Sequence, residues 1–157
     1  MSETLWYFAY GSNMSRAIFV EQRRIQPSAS TWGWLASWRL CFDLPVGPGE
    51  RGVANLVPDE TARVCGVLHH ITHAEAAHLD TTEGVTGGFY ARHAVAVAAA
   101  SGETITAFIY HSKFGSPGRK PSPRYMGLLL AGADEHGLPP EYVAYLRRFE
   151  LAHDERT

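Results

Sequence analysis

Leu5-Trp6-Tyr7-Phe8-Ala9-Tyr10 is an aromatic, apolar run of strand type, and Gly11-Ser12-Asn13-Met14 stops it abruptly. Aromatic side chains suit the pleated strand, whereas a Gly-Ser-Asn cluster suits a turn. Beyond that stop, residues 15–24 space Ile18 and Val20 among Arg, Glu and Gln, which reads as a helical turn or two. Residues 30–44 are rich in Trp and Leu and read as a long strand. Gly47-Pro48-Gly49-Glu50-Arg51-Gly52 breaks it as a surface loop, and residues 53–57 and 64–71 are two further strands.

Thr72-His73-Ala74-Glu75 fits a capping box, so a short helix is expected from about His73 to Asp80. Residues 89–100 and 104–111 alternate around Ser101-Gly102-Glu103, which predicts a hairpin. Ser122-Pro123 is an N-cap followed by Pro at the first helical position, and Gly137 after His136 is a stop. Pro139-Pro140 opens a last helix through Glu150. Strands in succession with so few crossover helices predict an α+β fold: a small mixed β-barrel with flanking helices, built as a single domain over residues 1–157.

Composition narrows the function. The 157 residues carry 14 Lys plus Arg against 16 Asp plus Glu, a net charge of −2. Such a balance gives no global field to attract nucleic acid or an anionic membrane. No apolar stretch approaches the roughly 18 residues of a spanning helix, and the first residues do not read as a secretory signal. The two cysteines, Cys41 and Cys65, form no CxxC, so free thiols and a cytoplasmic location are expected. Four of the eight histidines fall at His69, His70, His73 and His78. The 69/73 pair straddles a strand-to-helix boundary and HExxH is missing, so no metal site is expected there. GxSxG, Walker A and GxGxxG patterns are also missing, and no cofactor is expected.

Two segments can carry chemistry. At Tyr10-Gly11-Ser12-Asn13 a strand ends and successive backbone N–H groups can face one small concavity, an anion or oxyanion nest. The same residues would equally suit an ordinary strand-to-helix turn capped by Asn. Glu83 in Leu79-Asp80-Thr81-Thr82-Glu83-Gly84-Val85 stands just past a helix end and before an aromatic strand, as a general base could; a solvated loop carboxylate reads the same way. Tyr90, Tyr110 and Tyr125 stand on different elements, each with a phenol that could reach a pocket or simply pack.

Taken together, Tyr7-Phe8-Ala9-Tyr10-Gly11-Ser12-Asn13-Met14, Leu79-Asp80 with Glu83-Gly84-Val85 and Tyr90, and Pro121-Ser122-Pro123-Arg124-Tyr125 occur in one order. Gly132-Ala133, His136-Gly137-Leu138-Pro139 and Glu141-Tyr142 follow. This series resembles the γ-glutamylcyclotransferase family (AIG2-like superfamily) from about Trp6 to Glu150. The first motif is shared across the superfamily; the Glu83 block with Pro-Ser-Pro-Arg-Tyr is closer to the branch acting on γ-glutamyl amino acids.

The resemblance implies conversion of a γ-glutamyl amino acid or amine to 5-oxoproline plus the free amino compound, a lyase-type cyclisation within glutathione metabolism. It implies Glu83 as acid/base, Tyr10, Gly11, Ser12 and Asn13 as the substrate loop, and Tyr90, Tyr110 and Tyr125 as cavity walls. It is compatible with a homodimer, although no interface is legible in the sequence. The partner it implies is a small γ-glutamyl compound, with no nucleic acid and no membrane. Intact glutathione is disfavoured, because the glutathione-specific relatives form a separate branch. Two alternatives stay open: a non-catalytic module binding a small metabolite, and an enzyme removing γ-glutamyl from a specialised metabolite.

Overall fold

The computed structural model describes residues 3–82 and 90–153. Among them are the strands β1 (Thr4–Ala9), β2 (Ala29–Pro45), β3 (Gly52–Thr72), β4 (Ala91–Ala99) and β5 (Thr104–His111). They close into a barrel in the order β1-β3-β2-β4-β5. All pairings are antiparallel except the closing one, where Tyr7 of β1 meets Phe108 of β5 in parallel. The helices α1 (His73–Thr82), α2 (Pro123–His136) and α3 (Pro140–Arg147) complete the α+β architecture expected from the sequence.

Local signals explain most of these boundaries. The capping box forms as read: Glu75 N–H donates to Thr72 Oγ1 at 3.0 Å and Thr72 N–H to Glu75 Oε1 at 2.9 Å. Ser122 Oγ accepts from Tyr125 N–H at 3.0 Å, and Gly137 ends α2 in the left-handed region at φ 67°.

Three expectations need correction. The strands expected at 53–57 and 64–71 are one continuous strand, β3. Pro58 and Arg63 pair with Trp38 and Ala36, residues 59–62 bulge opposite Ser37 of β2, which takes φ 70°, and Asp59 caps the bulge by accepting from Thr61. The turn after β1 is not an ordinary helical start: a 3-10 turn at Ser12–Met14 is followed by a π-helical segment at Ala17–Gln22. The last helix stops at Arg147, because the chain must turn for Ala152 N–H to reach the Pro121 carbonyl at 2.8 Å and bury Ala152.

The core runs unbroken from the barrel to the helices, through Phe8, Leu40, Leu56, Leu68, Leu79, Ile109, Leu129 and Leu146. One contact fixes the loop after β1. A Cβ on Gly132 of α2 would stand 2.6 Å from Met14 Cβ, so α2 presses backbone against that turn and only a glycine lets it approach.

Candidate active site

A cavity of about 710 Å³ opens beside the end of β1. Its described walls include Tyr10, Gly11, Ser12, Asn13, Tyr90, Tyr110 and Tyr125, so the seven residues singled out in the substrate loop and aromatic walls meet in one place. Glu83 lies outside the described residues. Thr82 and Tyr90, the described residues on either side of 83–89, both line the cavity.

The phenols are held by the backbone. Tyr125 stands at the third position of α2, set by the Ser122 cap, and its oxygen accepts from Ala54 N–H at 3.1 Å. Tyr90 Oη donates to the carbonyl of the same residue at 3.2 Å. Two tyrosines from distant parts of the chain therefore grip one residue of β3. Ala54 is accessible to them because β2 bulges there: Phe42 and Asp43 together oppose it between the Cys41–Asn55 and Leu44–Val53 pairs. The next residue, Asn55, is fully buried and bridges Asp43 and the backbone of Ser112, tying β3 to the chain beyond β5.

Tyr110 is fixed from two sides. Its carbonyl accepts from Tyr10 Oη at 2.5 Å, and its own hydroxyl donates to Asp80 Oδ1 at 2.6 Å. Asp80 is gripped by Arg92 in a two-pronged pair, with both N···O distances 2.8 Å. That hydrogen-bonded carboxylate raises the Arg92 pKa above its usual range. Gly11 sits where a side chain would collide, since a Cβ there would lie 2.9 Å from Tyr125 Oη and 3.1 Å from Ala54 Cβ.

The turn itself is supported from below. Asn13 Nδ2 donates to Tyr7 Oη at 3.0 Å, and its main-chain carbonyl accepts from His69 Nε2 at 3.2 Å. Gly11 and Ser12 carbonyls are taken by the N–H groups of Met14 and Ser15, each at 3.0 Å, which keeps the turn tight. The first N–H groups of a helical turn have no partner within it, so a concave wall made from them suits an anion.

A model for the AIG2-like family matches residues 63–146. Gamma-glutamylcyclotransferase of Bos taurus is 32% identical over 156 residues, covering 94% of this chain and 80% of that protein. The chain belongs to the AIG2-like, γ-glutamylcyclotransferase family. A solved γ-glutamyl cyclotransferase structure superposes with a TM-score of 0.86 at 27% identity, over 99% of this chain and 93% of that one. Gamma-glutamyl cyclotransferase gliK of Claviceps purpurea is 32% identical over 145 residues, covering 82% of this chain and 63% of the fungal protein.

Within this family member the histidine run disperses. His69 points under the turn, stacked on Phe19 at 4.2 Å between centroids. His70, its neighbour on β3, contacts Ser28 and Trp6 instead. His73 opens α1, and His78 donates to the Arg23 carbonyl at 2.8 Å. Among the described residues no group of three or more His, Cys, Asp or Glu side chains is arranged to hold a metal. Both thiols are driven up to about 12, chiefly by burial, and neither lines the cavity. No described helix is long and apolar enough to cross a membrane.

Sequence reading missed several walls of the cavity: Arg23, Leu44, Pro45, Val53 and the exposed Phe114. It also missed the support that His69 gives the turn. Barrel closure brings Leu44, Pro45, Val53 and His69 next to the turn, and Arg23 comes round through the π-helical segment that follows it; no local spacing marks them.

Proposed function

We propose that the chain is a γ-glutamylcyclotransferase, converting a γ-glutamyl amino acid or amine to 5-oxoproline and the free amino compound. One observation carries this reading. The Tyr10-to-Asn13 turn and the phenols of Tyr90, Tyr110 and Tyr125 surround a single cavity in a chain that matches cyclotransferases along most of its length.

The chemistry suits such walls. The substrate's α-amine attacks its own γ-carbonyl, closing a five-membered ring as the bond to the acceptor nitrogen breaks. The nucleophile is tethered to its target, so the protein needs no Ser or Cys nucleophile. Its tasks are to fold the substrate back, free the amine of a proton, stabilise the oxyanion and protonate the leaving nitrogen.

Glu83 is the proposed proton carrier, taking the ammonium proton and later delivering it to the departing amine. In water a Glu carboxyl with a pKa of about 4.3 and an α-ammonium of about 7.8 differ by roughly 3.5 units, about 5 kcal/mol. Burial narrows that gap from both sides. The Gly11-Ser12-Asn13 backbone is the proposed cradle for the oxyanion. Tyr10, Tyr90, Tyr110 and Tyr125 shape the space and supply neutral hydrogen-bonding groups without competing for the amine's proton.

The test is a panel of γ-glutamyl amino acids and γ-glutamyl amines, with 5-oxoproline detected by mass. Turnover by the wild type and its loss in a folded Glu83→Gln variant are the expected results. Stoichiometric binding without turnover across the panel would instead assign the cavity to a binding module.

A further inference from the structure

Arg23 is the one charged side chain among the described residues that line the cavity. Every other described wall is neutral: phenols, Ser12, Asn13, Thr82 and apolar groups. The backbone takes an unusual route to place Arg23 there. Residues Ala17–Gln22 wind as a π-helix, and Arg23 N–H reaches back to the Ile18 carbonyl at 2.8 Å, one residue further than an α-helix would allow. The wider turn keeps Ile18 and Phe19 in the core while Arg23 comes round to the cavity.

The next residue, Arg24, adopts φ 61°, a left-handed conformation that costs a non-glycine residue about 1 kcal/mol. That reversal sends Ile25 straight back into the core, where it is fully buried. Strain of this kind persists where surrounding structure enforces it, and it concentrates at functional sites.

Arg23 is also anchored at both ends. Its Nε–H donates to Asn13 Oδ1 at 3.1 Å, and its carbonyl accepts from His78 on α1. With the Nε edge against Asn13, the two terminal nitrogens carry the remaining four N–H donors of a half-buried guanidinium. A guanidinium edge matches a carboxylate in a two-pronged geometry that a lysine cannot reproduce.

We propose that Arg23 holds the α-carboxylate of the substrate's glutamyl half. This rests on the cyclotransferase reading for the identity of the ligand. Asn13 is the link: the side chain that orients Arg23 belongs to the turn that cradles the reacting end, so the carboxylate beside that end is the one within its reach. Arg23 then takes the carboxylate, and the backbone of the turn is left for the oxyanion.

The test compares wild type with Arg23→Gln and Arg23→Lys. Two substrates share the glutamyl half: γ-glutamyl-L-alanine has a carboxylate on its acceptor, and γ-glutamylethylamine has none. Arg23→Gln is expected to raise KM about tenfold or more on both while leaving kcat within about threefold, with Arg23→Lys between the two. A loss confined to γ-glutamyl-L-alanine, or an unchanged KM on both, overturns the proposal. A fall in kcat alone, reproduced by Asn13→Ala, also overturns it and makes Arg23 a support for the turn.

A binding arm separates this outcome from failure of the functional reading. 5-Oxoproline carries the α-carboxylate and 2-pyrrolidinone does not. Calorimetry should show 5-oxoproline binding weakened about tenfold or more by Arg23→Gln, even if the wild type turns over no substrate. Absent or Arg23-independent binding of 5-oxoproline overturns the Arg23 assignment.

Discussion

The Nε2–H of His69 donates to the main-chain carbonyl of Asn13 across 3.2 Å, so a buried histidine on β3 holds the turn that forms one wall of the cavity. The carbonyl can only accept, which fixes the neutral ring with its proton on Nε2 and leaves Nδ1 to accept from Ser30 Oγ at 2.8 Å. His69→Phe keeps the stacking on Phe19 but strands both polar partners. It should cost about 1–3 kcal/mol in urea unfolding and raise KM by loosening the turn. A variant with wild-type stability and KM would show that the turn stands without the histidine.

The same ring sets a pH dependence. Burial drives the His69 pKa down to about 3, and His136, 5.8 Å away between ring centroids, is lowered by burial in the same direction. In the unfolded chain a histidine titrates near 6.5, so between these values the unfolded state binds more protons. Stability from this site is therefore complete above about pH 6.5 and declines as pH falls towards 3, by at most about 1.4 kcal/mol per pH unit for His69. Urea midpoints at about pH 7 and pH 5 should differ, and His69→Gln should flatten the difference. Parallel pH profiles in both proteins would contradict the buried neutral ring.

Gly11→Ala places a methyl group 2.9 Å from Tyr125 Oη and should push that phenol off Ala54 N–H. Activity should fall by about one to two orders of magnitude with the fold retained. Removing the hydroxyl as well, in Gly11→Ala with Tyr125→Phe, opens the space again. The double variant should lose less than the sum of the singles, and strict additivity would deny the clash.

Asp80→Asn removes the charge that pairs with Arg92 and orients Tyr110. Both partners keep some exposure, so the stability loss should be only about 1 kcal/mol. The kinetic loss should match that of Tyr110→Phe, and combining the two should add little. A thermal melt and kcat/KM of the three variants decide this.

The two thiols should be inert in the native protein. Cys65 is fully buried, Cys41 is half-buried, and both have pKa values raised to about 12, so little thiolate exists near neutral pH. A thiol-reactive dye should label them slowly until denaturant is added. Rapid labelling with loss of turnover would overturn this.

Much of this molecule was legible because its signals are local. Ser122-Pro123 and Thr72-x-x-Glu75 announce their helices, and Gly11-Ser12-Asn13 ends β1 as its composition says. The strands expected at 53–57 and 64–71 proved to be one because a bulge within a strand cannot be told from a break when the opposing strand is unseen. Arg23 and His69 escaped because their roles exist only in three dimensions. Arg23 depends on a π-turn that no residue pattern announces, and His69 on a register that pairs it with Tyr7. The value of Pro-Ser-Pro-Arg-Tyr is also clearer in space: the cap aims a phenol at Ala54, 71 residues earlier.

The parallel seam between Tyr7 and Phe108 gives this barrel a particular vulnerability. It joins segments about a hundred residues apart, so the cost of closing that long loop falls before the contact rewards it. Until it is made, β1 and β5 each present a bare strand edge able to recruit another chain. Because Tyr7 pairs at this seam and Tyr110 follows two residues after Phe108, and both wall the cavity, a polypeptide that has not zipped shut lacks that cavity and is at its most prone to aggregate. Substitutions that weaken the seam should therefore appear first as insoluble protein on expression, before any change in turnover by the fraction that folds.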